Sequence, residues 1–103
     1  MTTTMTIDDI MAAVGFAATK AGGGNWMWAK TAADGSTLCV CTVEGSTDGE
    51  PEVAEWYAGR QIEGGFVECS EMLTLADALE IVERLPPPVT PGKALSRREI
   101  EAT

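Results

Sequence analysis

The chain has 103 residues, 45% of them apolar and 22% charged, the make-up of one ordinary globular domain. Sixteen acids against seven bases give a net charge of −9, and there is no histidine. These counts exclude histidine-dependent nucleophilic sites and histidine-containing zinc sites. With no apolar run of about 18 residues, they also exclude a membrane-spanning helix.

Residues 1–5 are polar and are expected to fray. Thr6 is then a helix cap, with Asp9 three residues later. Ile7, Ile10, Met11, Val14 and Ala18 recur at helical spacing, which predicts a first helix over 7–20. Asp8 and Asp9 suit its positive end and Lys20 its negative end. Gly22-Gly23-Gly24 is read as its stop.

Residues 25–31 alternate as a strand, with Trp26, Trp28 and Lys30 on one face and Met27, Ala29 and Thr31 on the other. Ala33-Asp34-Gly35-Ser36 is a turn. Residues 37–44 form a second strand. Leu38, Val40 and Thr42 share one face, and Cys39, Cys41 and Val43 the other. Both faces are mostly apolar, which predicts a central position.

Residues 45–52 carry every loop signal. Residues 53–58, with Trp56 and Tyr57, read as a third strand or a short helix, ended by Gly59. Residues 66–70 read as a further strand, reaching back toward Arg60 if a glycine bulge is present. Thr74 and Asp77 open a second helix over 75–85, with Leu75, Ala78, Leu79, Val82 and Leu85 on its apolar stripe. Pro86-Pro87-Pro88 ends it. Residues 86–95 read as a stiff extended tail, and Ser96 to Glu99 as one capped turn too short to be stable alone.

The expected fold is α+β: an antiparallel sheet of three or four strands, flanked on one face by an N-terminal and a C-terminal helix. The expected domain is 1–85, followed by a Pro-rich tail over 86–103. Three cysteines, Cys39, Cys41 and Cys69, are an odd number and predict free thiols in a reducing compartment. The N-terminus has no basic and apolar leader pattern, so a cytoplasmic protein is expected.

Charge is the strongest functional signal. Residues 44–83 hold eleven acids against the single base Arg60, a net of −10. Such a field repels nucleic acid and favours a cationic partner. The expected partner-binding face is Glu44, Asp48, Glu50, Glu52, Glu55, Glu63, Glu68 and Glu71. Trp26, Trp28, Trp56 and Tyr57 are the candidate aromatic anchors for it. Core packing is the competing reading of the aromatics, and solvation that of the acids.

The cysteines read as small buried hydrophobes, since C-x-C is not the spacing of zinc or redox motifs. No catalytic residue, metal site or cofactor is predicted. The expected function is a small, acidic, non-enzymatic protein that occludes a basic partner, monomeric or as a homodimer. That partner is expected to be a nucleic-acid-binding protein. Small DNA-mimicking inhibitors carried by phages, of the anti-CRISPR or anti-restriction kind, share this general character. The alternatives are a dimeric chaperone or adaptor with an apolar groove, and a small-ligand module built on the tryptophans. Charge reversal at Glu50, Glu52 and Glu55 is expected to weaken partner binding.

Overall fold

In the computed structural model, which describes residues 6–102, Thr6 opens the first element as its sequence predicts. Its hydroxyl accepts from the Asp9 N–H, and the Asp9 carboxylate accepts in return from the Thr6 N–H. The expected fraying of residues 1–5 lies outside the described residues. Helix α1 covers only Ile7–Ala13. It ends at Gly15, whose φ of +88° suits a residue without a Cβ. Gly15 N–H donates to Ala12 O, and Phe16 N–H to Met11 O. This is the paired bonding of a Schellman stop, and Phe16 and Met11 are both buried beside it.

The chain beyond the stop turns into strand β1, Ala17–Lys20. Strands β2 (Trp26–Thr31), β3 (Thr37–Thr42), β4 (Trp56–Ile62) and β5 (Gly65–Cys69) follow, then α2 (Leu75–Arg84), β6 (Lys93–Leu95) and α3 (Arg97–Glu101). The six strands lie side by side in chain order. β1 to β5 pair antiparallel, and β6 joins β5 in parallel after the crossover through α2.

This overturns the expected antiparallel sheet of three or four strands between two helices. The protein is a six-stranded mixed sheet with three short helices, and the sheet dominates. Two segments account for the difference. Residues 17–20, read as helix, form an edge strand because Gly15 breaks the helical stripe. Residues 93–101, read as tail, add β6 and the capped turn α3, in which Ser96 and Glu99 form a reciprocal box. Tertiary packing stabilises that turn: Ile100 is 1% exposed and belongs to the core.

Register assigns the two faces of the sheet. Trp28 lies opposite Val40, Val40 opposite Ala58, and Arg60 opposite Val67. Trp28, Leu38, Val40, Trp56, Ala58, Val67 and Cys69 share one face. They form one core with Met11 of α1, Leu75, Ala78, Ile81 and Val82 of α2, and Ile100 of α3. At one end of this face Arg60 ties three elements together. It donates to Ser36 Oγ at 2.7 Å and to the Leu85 carbonyl beyond α2 at 2.8 Å, and it pairs with Asp34 at 2.6 Å. No described helix is long and apolar enough to cross a membrane.

Candidate functional site

The acid-rich connection between β3 and β4 lacks regular structure, yet it is tied down along its length. Trp28 Nε1 donates to the Thr47 carbonyl and Trp56 Nε1 to the Glu50 carbonyl, each at 3.0 Å. Trp26 N–H donates to Gly45 O, Leu75 N–H to Pro51 O, and Glu50 N–H to Glu55 Oε1. Gly49 lies against Thr42 and the Trp56 ring so closely that a Cβ would fall 2.7 Å from Thr42 Cγ2. The loop therefore caps the open end of the core, and its charges are held in place.

Glu44, Asp48, Glu50 and Glu52 are exposed on this loop, and Glu55 is half-buried. Glu71 lies at the same end, because residues 71–73 run back beside the start of β4 through the Trp56–Leu73 bridge. Its carboxylate accepts from the Arg97 N–H at 2.6 Å. Glu68 sits within β5, on the face away from the helices. Glu63 follows the far end of β4, about 25 Å along the strand from Glu55 at ~3.3 Å per residue. The eight residues therefore do not form one patch. Six gather at one end of the sheet, Glu68 lies on its uncovered face, and Glu63 is remote.

Four of the seven bases pair elsewhere. Lys30 meets Glu83, Arg60 meets Asp34, Arg84 meets Glu80, and Arg97 meets Asp77 and Glu101. Among the described residues, none of the eight predicted acids is in an ion pair with a basic side chain.

The aromatic residues separate too. Trp28 is 6% and Trp56 0% exposed, with both indole N–H groups turned to the loop, so these two are core. Trp26 is 47% exposed. Tyr57, a candidate anchor, points to the opposite face, which also carries the predicted acid Glu68. That face carries Met27, Ala29, Cys39, Cys41, Tyr57 and Glu68, and the core that holds the three helices lies on the other side. Gly59 makes room for the Tyr57 ring, which lies across it; a Cβ there would meet the phenol. The apolar second face of 37–44 was the advance signal that a strand face here is not plain solvent surface.

Burial and the adjoining Glu68 carboxylate hold the Tyr57 hydroxyl protonated well above its ordinary range. Burial pushes the Cys39 thiol up to about 11 and raises Cys41. These are not activated nucleophiles. All three cysteines are free, and among the described residues no group of acids and thiols is gathered to hold a metal.

Where this face meets the acidic loop there is an open groove of about 470 Å³, lined by Asn25, Cys41, Val43, Glu44, Tyr57 and Met72. A second groove, of about 380 Å³, runs between α1 and α2 past Ile10, Pro51, Leu75 and Leu79. No protein-family model, curated protein or solved structure matches the chain.

Proposed function

We propose that this is a non-enzymatic binding protein that docks its acidic end on a basic, nucleic-acid-binding protein and occludes it. The observation that carries this reading is that, among the described residues, no basic side chain forms an ion pair with the end's carboxylates, on a loop bonded to two core tryptophans. Held together without counter-charges, Glu44, Asp48, Glu50 and Glu52 repel one another, and a cationic surface relieves that repulsion. The loop is ordered before contact, so little ordering entropy opposes binding. A groove built to take phosphates has the matching charge, which gives the inhibition its DNA-mimicking character. The exposed Trp26 beside Gly45 is one aromatic available at this end. The free thiols suit a reducing, cytoplasmic setting.

The test is capture of partners from host lysate at low and high salt. The reading expects a basic nucleic-acid-binding protein, released by salt and competed by DNA. A salt-resistant partner would favour an adaptor using the groove between α1 and α2.

A further inference from the structure

The groove at the end of the uncovered face combines features that seldom meet in a solvated depression. Its walls are apolar: Val43 is 59% and Met72 41% exposed, with Cys41 between the strands. Its base includes the half-buried Tyr57, whose ring lies over Gly59. Glu44 and Asn25 complete its lining. Exposed apolar side chains beside an aromatic face and an unpaired acid describe a receptor for one kind of side chain.

Resting on the reading above, we propose that this groove takes an arginine of the basic protein partner. The arginine's methylene stem lies along Val43 and Met72. Its guanidinium stacks on the Tyr57 ring and donates to Glu44. Charge complementarity selects this occupant over a second copy of the chain, because two copies would bring −9 against −9. The flat ring selects arginine over lysine, since a planar, weakly hydrated guanidinium stacks where an ammonium keeps its water. Lys20, on the first edge strand, shares the face of Trp26 rather than that of the groove, so no base of β1 fills it.

The test is a nuclear magnetic resonance titration of the full chain with two short peptides, an Arg-Ser repeat and a Lys-Ser repeat. The proposal expects the arginine peptide to bind about two- to fivefold more tightly, the worth of a solvent-exposed cation–aromatic contact. The shifts should include Val43, Glu44, Tyr57 and Met72. Tyr57→Leu should abolish the preference. Glu44→Gln, at an exposed position that cannot unfold the sheet, should weaken the arginine peptide more than the lysine one. Equal affinities with shifts confined to 46–55 would overturn the groove and leave the acidic reading standing. No salt-dependent binding of either peptide would overturn both. A dimer that already covers Val43 and Met72 would also overturn the proposal.

Discussion

The indole N–H of Trp56 donates to the carbonyl of Glu50 at 3.0 Å, joining the most deeply buried aromatic side chain of the protein to its most acidic loop. Trp56 is 0% exposed, and its neighbour across the strands, Thr42, takes the Ser46 N–H on its hydroxyl. The loop's shape is thus written into the core. A change inside the protein should be felt at its charged surface.

Trp56→Phe should test this directly. It keeps an aromatic ring but removes one of the two donors to the Glu50 carbonyl, leaving only the Val53 N–H, and opens a small void. The expected cost is about 2–4 kcal/mol in urea unfolding. Backbone amides of 46–52 should exchange faster than those of β5.

Gly59→Ala should destabilise by about 1–3 kcal/mol, the usual range for overpacking. The added methyl would lift the Tyr57 ring off the sheet and bare Cys39. Labelling of Cys39 by a thiol reagent should therefore rise together with the loss of stability. Combined with Tyr57→Ser, the alanine should cost less than alone, which a double-mutant cycle would read.

Gly15→Ala probes the helix stop. The site has room for a methyl, whose nearest neighbour would be Lys30 Cε at 3.5 Å, but its φ is +88°. The expected loss is about 1–2 kcal/mol from backbone conformation alone. Any larger effect would mean that α1 and β1 repack.

Stability should fall on both sides of neutrality. Cys39 is raised from 9.0 to about 11 in the folded protein, so the native state holds its proton longer than the unfolded chain. That contribution is complete below pH 9 and is lost as pH rises toward 11; Tyr57, also raised, acts in the same direction. Asp34 is lowered from 3.8 by the Ser36 hydroxyl and N–H, with Arg60 adding to it. Glu99 is lowered from 4.5 by the Ser96 cap. Their contributions are present above those values and are lost as pH falls through the depressed ones. Thermal melts across the pH range should show both flanks, and Cys39→Ala should shrink the alkaline one.

Ile100→Ala should cost about 2–5 kcal/mol, the range for emptying a buried aliphatic site. A loss of this size, seen by chemical unfolding, would establish the last helix as part of the cooperative unit.

Much of this structure is legible in the residues, wherever a local rule and the fold agree. The caps at Thr6 and Thr74, the strands over 26–31 and 37–42, and the second helix follow from spacing and turn chemistry. The errors arise where two signals compete. Ala18 continues the stripe of α1, but Gly15 and Phe16 complete a stop in which bonds to Ala12 and Met11 win. Gly59 reads as a strand end, yet it continues β4 because its missing side chain is filled by Tyr57. Lys93–Leu95 has no strand pattern of its own and takes its form from the β5 edge. For the candidate site, acid count locates the charge, but only the tertiary fold moves Glu63 away from the others. The groove beside Tyr57 was out of reach, since no sequence rule says which face of a central strand the helices will leave open.

The most direct measurement is the affinity of the captured partner for the native chain and for a Glu44→Lys, Glu50→Lys, Glu52→Lys variant, across a range of salt. These three side chains are exposed, so the variant should fold. The account predicts that the native affinity falls steeply with salt, and that charge reversal weakens binding by roughly tenfold or more while flattening the slope. Equal affinities and equal slopes for the two proteins would contradict it.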